Sequence, residues 1–199
     1  MKKFELTNEF VTNMFGTKLF RIRALVEFGD VEAGELGGYV EKESNLGHDD
    51  NAWVYDNAWV YGNARVYGDA QVSGDARVYD NAWVYGDAQV SGDALVCGNA
   101  RVCSDALVCG NARVCSDEDY AYAHGFGSVN RTTTFFRLKD GGVGVRCGCF
   151  YGTLAQFRDK IRETHGETKK AQEYLMLADL MELRFEEDEN EVGNRKYVE

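Results

Sequence analysis

A chain of 199 residues has room for one domain or a small pair, and its net charge of −11 argues against extended binding to DNA or RNA. No apolar run reaches the roughly 18 residues that span a membrane, and no apolar stretch of a secretory signal follows the charged start of the chain. We therefore expect a cytoplasmic protein that does not contact a membrane.

Residues 1–30 predict a β-type N-terminal cap. Residues 19–25 alternate between apolar and polar side chains, which places Phe20, Ile22 and Ala24 on one side of a strand. An apolar lid is expected here because an open solenoid end exposes backbone edges and core.

From residue 51 to residue 117 the sequence repeats every six residues. Ala stands two residues before each Val, and the intervening positions carry Gly, Asn, Asp or Ser. The repeated valines are Val54, Val60, Val66, Val72, Val78, Val84, Val90, Val96, Val102, Val108 and Val114. Alternation along a strand turns Ala and Val inward, and Gly, Asn and Asp tolerate the positive φ of a sharp corner. Three strands and three corners then close an 18-residue triangular coil.

The hexads resemble those of the hexapeptide-repeat family, whose fold is a left-handed parallel β-helix. The left hand is implied by this resemblance alone, because strand crossovers are normally right-handed. The leader AGELGGYVEKESNL at residues 33–46 is similar to that of hexapeptide-repeat proteins from bacteriophages and prophages of gut bacteria. The resemblance implies a homotrimer. It also raises acyl transfer from CoA thioesters, for which the family uses a His projecting from the coils.

The C-terminal part predicts a small ββαα unit. Strands are expected at 135–138 and 143–147, joined by a Lys-Asp-Gly-Gly hairpin turn. Thr153 is the expected N-cap of a first helix that ends at Gly166, and a second helix is expected over 168–185.

The predicted fold class is mainly β, with a left-handed parallel β-helix (a triangular solenoid) over residues 31–119. A β N-terminal cap over 1–30 precedes it, and a ββαα C-terminal domain over 120–185 follows. Residues 186–199 form an acidic tail.

Histidine is absent from the repeats, which argues against an acyltransferase site and against a coil-borne metal site of the carbonic anhydrase type. Three other histidines exist: His48, His124 and His165. His48 beside Asp49 is the alternative general base, although a solvated loop role is equally open. His165 near a helix C-terminus suits the helix dipole.

Four of the six cysteines, at 97, 103, 109 and 115, follow the valines of the last hexads. Cys97 and Cys115 are 18 residues apart, so they are expected to stack in adjacent coils. A disulfide, metal binding and a plain ladder of thiols all remain open. Cys147 and Cys149 are expected on the same side of a strand, which is a weak zinc signal. No metal site is assigned.

The outward positions before each Val form three columns along the coils. Arg and Trp alternate within two of them, which predicts cation–π stacking between neighbouring coils. We predict a homo-oligomer interface, with a trimer favoured, because exposed aromatic patches usually have partners. Its candidate residues are Trp53, Trp59, Arg65, Arg77, Trp83 and Arg101.

Residues 120–165 carry seven basic and three acidic side chains inside an acidic chain, which makes them a candidate anion site. Arg forks and hydroxyl groups suit phosphate oxygens, and Arg137 and Arg146 are expected to meet on one hairpin face. The candidate ligand residues are Arg131, Thr132, Thr134, Arg137, Arg146, Tyr151 and Thr153.

These features favour a non-enzymatic, phage-type binding protein with no catalytic residue and no cofactor. Its expected role is evasion of host immunity, either by sequestering an anionic small molecule such as a nucleotide-type signal or by blocking a host defence protein. The alternatives are an acyltransferase-like enzyme and an acidic nucleic-acid mimic that inhibits a host nuclease.

Overall fold

The computed structural model describes residues 2–127 and 131–186. The predicted acidic tail lies outside the described residues, except for Glu186. Within the described part, no helix combines the length and the apolar character needed to cross a membrane.

The N-terminal cap is an antiparallel β-meander, as predicted in kind. Its strands are β1 (Phe4–Thr12), β2 (Lys18–Ala24) and β3 (Leu36–Val40), and β3 continues in parallel into the solenoid. Within β2, Leu19 is fully buried whereas Phe20 is only half-buried. The expected alternation fails there because the register between β2 and β3 shifts within the strand.

Eleven two-residue strands, each ending in Val, form the coils. They are β4 Trp53–Val54, β5 Trp59–Val60, β6 Arg65–Val66, β7 Gln71–Val72, β8 Arg77–Val78, β9 Trp83–Val84, β10 Gln89–Val90, β11 Leu95–Val96, β12 Arg101–Val102, β13 Leu107–Val108 and β14 Arg113–Val114. A short 3₁₀ helix, Glu43–Asn45, precedes them.

Strands 18 residues apart pair in parallel and build three faces. The first, here called the glutamine face, is β4-β7-β10-β13; the second is β3-β5-β8-β11-β14, and the third is β6-β9-β12. Every repeat Val and Ala is buried in one continuous core. The triangular solenoid is therefore confirmed, while its left hand stays a prediction of the resemblance.

The corners have the backbone conformation that their residue types predict. Gly74 has a φ of 69°, and Asp56, Asp80 and Ser104 adopt φ values of 53°, 59° and 56° at equivalent corners. A Cβ on Gly74 would lie 3.0 Å from the backbone nitrogen of Gly92 in the next coil. Glycine thus serves both the turn and the close stacking of coils.

The C-terminal domain contains more strands than predicted. Its elements are β15 Tyr120–Phe126, β16 Arg131–Arg137, β17 Val143–Cys147, β18 Phe150–Thr153, α1 Leu154–His165 and α2 Lys169–Phe185. The helices agree with the sequence, including the Thr153 N-cap and the end at Gly166. The flanking strands β15 and β18 were missed because each is completed by pairing with the central hairpin.

The four-stranded sheet lies between the last coil and the helices. Phe136 and Leu138 on one side join the solenoid core, whereas Phe135 and Val145 on the other side pack with α1 and α2. The sheet thereby covers the C-terminal end of the solenoid and carries the predicted cations to its edge.

Candidate functional site

The glutamine face is recessed relative to the other two faces. On the second face Tyr61 and Tyr79 stack with ring centroids 5.2 Å apart, and a similar tyrosine pair covers the third face. The equivalent positions on the glutamine face carry Ser73 and Ser91. The smaller side chains leave a trough between the N-terminal cap and the C-terminal sheet.

Three adjoining hollows form one groove along this face, and Gln89 lines all three. The first, about 280 Å³, begins at Asp30 of the cap. The second, about 490 Å³, lies between Asp87 and Arg131. The third, about 280 Å³, is lined by Arg146. The structure therefore places two predicted ligand residues, Arg131 and Arg146, at the C-terminal end of the groove.

Arg131 is held at the groove by a glycine turn. Its guanidinium lies directly against Gly148, where no Cβ would fit, and Gly148 has a φ of 58° in the tight turn between β17 and β18. Both the turn and the position of Arg131 therefore require glycine there.

Arg146 and Tyr151 are register partners on β17 and β18, and both line the third hollow. The Tyr151 hydroxyl donates a hydrogen bond of 3.0 Å to Asn111 Oδ1, and its ring packs over Gly110 at a coil corner. Tyr151 nevertheless stays 43% exposed. The pair therefore presents a cation and an aromatic face at one end of the groove.

Burial sets the pKa of two groups that line the groove. It raises the pKa of the Cys109 thiol, and the nearby Arg146 charge only partly opposes this. Burial also raises the pKa of Tyr55, with smaller contributions from Glu35 and Asp30. Both groups are neutral at physiological pH, so Cys109 is poorly suited to act as a thiolate nucleophile.

Thr132 and Thr134 have different roles, although both lie on the side of β16 that faces the solenoid. The Thr132 hydroxyl hydrogen-bonds His124 Nδ1 at 3.0 Å and lines the second hollow. Thr134 is fully buried, and its Oγ1 accepts a 2.9 Å hydrogen bond from the Leu107 backbone N–H. Thr134 therefore joins the sheet to the last coil and has no surface for a ligand.

We expect Thr134→Val to lower the free energy of unfolding by about 1–3 kcal/mol, because the buried Leu107 N–H loses its acceptor. Chemical denaturation measures the change. Thr132→Val is the matched control and should cost less, since the His124 side of its bond is open to water. Equal losses for the two variants would contradict the buried contact.

Arg137 and Thr153 do not belong to the groove in the way predicted. The Arg137 guanidinium lies 5.5 Å from the centre of the Phe185 ring on the helix side of the sheet. The expectation that Arg137 and Arg146 meet on one face is therefore wrong, because Arg146 pairs with Thr134 on the opposite side. The Thr153 hydroxyl accepts a hydrogen bond from Gln156 N as a helix N-cap.

The predicted interface residues are divided among the three faces. Trp53 has no exposed surface beneath the cap, so its assignment to an interface is wrong. The predicted cation–π pairs are confirmed, with Arg77 at 4.7 Å from the Trp59 ring and Arg101 at 5.4 Å from the Trp83 ring. These pairs lie on the second and third faces. Arg65 is exposed beside Trp83 on the third face.

The stacked cysteines Cys97 and Cys115 form a disulfide between neighbouring coils, which was one of the open alternatives. The expectation that Cys147 and Cys149 share a strand face is wrong, since β17 ends at Cys147 and Cys149 lies in the following turn. Among residues 2–127 and 131–186, no group of three or more His, Cys, Asp or Glu side chains is arranged to hold a metal ion.

The histidine considered as an alternative base has a packing role. His48 stacks on Phe4 with ring centroids 4.5 Å apart, and its Nδ1 accepts a hydrogen bond from the Lys3 backbone N–H. His165 stacks against Tyr174 at the end of α1. His124 is the histidine beside the groove, with Nδ1 3.8 Å from Asp105 Oδ2.

The repeat region matches a known family description. Residues 58–70, 70–86 and 88–104 are similar to the YdcK beta-solenoid repeat. All three matches fall inside the solenoid, so they support its architecture and do not extend to the C-terminal domain. Among curated proteins, none matches the chain at a significant level.

Sequence reasoning missed the groove, although a signal for it exists. The hexad Asp-Ala-Gln-Val-Ser-Gly occurs at residues 69–74 and again, unchanged, at residues 87–92. The two copies are 18 residues apart and therefore stack on the same face. The loss of the bulky aromatic position in both copies marks the recessed surface.

Proposed function

We propose that this protein is a non-enzymatic binding protein that captures an anionic small molecule at the C-terminal end of the groove. The observation that carries the proposal is the placement of Arg131 and Arg146 along one recessed face. Within the described residues, neither arginine forms an ion pair. Two uncompensated guanidinium groups beside a hydroxyl and an aromatic ring suit a phosphate or carboxylate.

The biological setting of the proposal is phage evasion of host immunity. Its support is the similarity of the leader at residues 33–46 to that of phage hexapeptide-repeat proteins. The captured molecule would be a nucleotide-type signal of the host. A homo-oligomer, with a trimer favoured, belongs to the same proposal, and exposed Trp83 with its neighbours Arg65 and Arg101 is the surface that supports it.

Calorimetric titration against linear and cyclic nucleotides tests the proposal. We expect one of them to bind, and Arg131→Ala or Arg146→Ala to weaken that binding by roughly 10- to 100-fold, the effect of losing one charge-assisted hydrogen bond. Arg65→Ala, on the third face, is the control and should leave affinity unchanged. Absence of heat with every nucleotide would remove the small-molecule form of the proposal and leave the blocking of a host protein.

His124 is the observation that favours acyl transfer as a second candidate. It stands at the groove with a carboxylate, Asp105, near its Nδ1. Thr132 contacts the same nitrogen, so this arrangement leaves Nε2 to face a substrate. Acetyl-CoA turnover that is lost in His124→Ala would support the enzyme, whereas no turnover would exclude this donor.

A further inference from the structure

The groove carries two identical sets of polar side chains, one directly above the other. Asp69, Gln71 and Ser73 form the first set, and the second repeats the same residue types one coil later at 87, 89 and 91. The register pairs Gln71 with Gln89, at the separation of about 4.8 Å that neighbouring strands have. We call these two sets the tandem triads.

This duplication is specific to the glutamine face. Other hexads also recur without change, such as residues 57–62 at 81–86 and residues 93–98 at 105–110, but those copies fall on different faces. The tandem triads alone place two like sets in one line, in a recessed surface that is closed at both ends.

The functional groups of the triads are available to a ligand. In the part of the chain that the structure describes, no hydrogen bond involves the side-chain amide of Gln71 or Gln89. Each triad offers a carboxylate acceptor, an amide that donates and accepts, and a hydroxyl that does both. The floor at both glutamines is polar, so a ligand lying on it gains hydrogen bonds rather than apolar contacts.

Charge along the groove restricts where a ligand carries its own charge. Arg131 and Arg146 attract an anion at the C-terminal end. Asp69, Asp87 and Asp105, stacked at 18-residue intervals, line the rest of one margin and repel it. A polyanion such as an oligonucleotide is therefore disfavoured. A ligand with a single anionic end and an uncharged body fits this distribution.

We infer that the ligand is a sugar-containing molecule with one anionic end, whose charged group meets Arg131 and Arg146 while its hydroxyl groups lie along the tandem triads. The inference rests on the proposed function and specifies its ligand. Sugar hydroxyls donate to carboxylates and exchange hydrogen bonds with amides and serine, which is the set of groups present. Two sources share this chemistry: a nucleoside phosphate, through its ribose, and an acidic oligosaccharide.

Calorimetric titration of the full chain with four probes tests the inference. The sugar anions are AMP and trigalacturonic acid; inorganic phosphate supplies the anion without a sugar, and maltotriose supplies the sugar without an anion. We expect AMP or trigalacturonic acid to bind at least about tenfold tighter than phosphate and than maltotriose, the gain from one or two additional hydrogen bonds. Binding of AMP identifies the nucleotide source, and binding of trigalacturonic acid identifies the oligosaccharide source.

The variant Gln71→Leu/Gln89→Leu separates this inference from the proposed function. We expect it to remove most of the tenfold gain and to leave phosphate binding unchanged, whereas Gln172→Leu, exposed on α2, should change neither. Sugar anions that bind no tighter than phosphate would overturn the inference, and so would an unaffected double variant. Arg-dependent phosphate binding would then preserve the proposed function, whereas failure of every anion to bind would remove both.

Discussion

Trp53→Ala is expected to lower the free energy of unfolding by about 3–5 kcal/mol, the usual cost of truncating a fully buried large aromatic side chain. The Trp53 ring has no exposed surface and contacts Phe28 and Phe4, with centroids 5.3 Å and 6.2 Å away. The variant would open a cavity between the cap and the first coil. Urea denaturation followed by circular dichroism measures the loss.

Trp83→Ala is the matched control, since Trp83 occupies the same position of its hexad but is 36% exposed. It should cost about 1 kcal/mol or less, mainly the cation–π contact with Arg101. Sedimentation of the same variant tests the oligomer proposal, which expects Trp83→Ala to weaken association. Similar stability losses for Trp53 and Trp83 would contradict the burial of Trp53.

Reduction of the Cys97–Cys115 disulfide is expected to lower the free energy of unfolding by about 3 kcal/mol. The bond closes a loop of 18 residues, and a loop of about that length gives this value through the entropy of the unfolded chain. The measurement is denaturation with and without reductant, and the double variant Cys97→Ser/Cys115→Ser should match the reduced protein.

Thiol titration of the denatured protein provides the direct check on that bond. Four of the six cysteines should react before reduction, and all six should react afterwards. Cys149→Ser, which removes an exposed free thiol, is the control and should leave stability unchanged. Six reactive thiols in protein prepared without reductant would contradict the disulfide.

The sequence predicts the solenoid well because its information is local. The period places Val and Ala inside, Gly or Asp at each corner, and residues 18 apart in one column. The disulfide partners and the Arg77–Trp59 pair follow from that column rule. The first C-terminal helix is equally local, since the Thr153 cap and Gly166 define its ends.

The candidate site was only partly predictable. Arg131, Arg146 and Tyr151 were named from composition, and the structure places them at one end of the groove. Arg137 was included because the predicted hairpin lacked a register, and a register decides which side chains share a face. Thr134 was included because its hydroxyl suits phosphate, whereas the coil end covers it.

By itself, then, the sequence determined the coil, its three outward columns and the ends of the helices, because each depends on residues close in the chain or on a fixed repeat. Only the tertiary structure decided that Trp53 is covered while Trp83 is open, and that Arg146 faces the groove while Arg137 faces α2. Strand alternation sets the direction in which a side chain points. Segments far away in the sequence, here the N-terminal cap and the C-terminal sheet, set what that side chain meets.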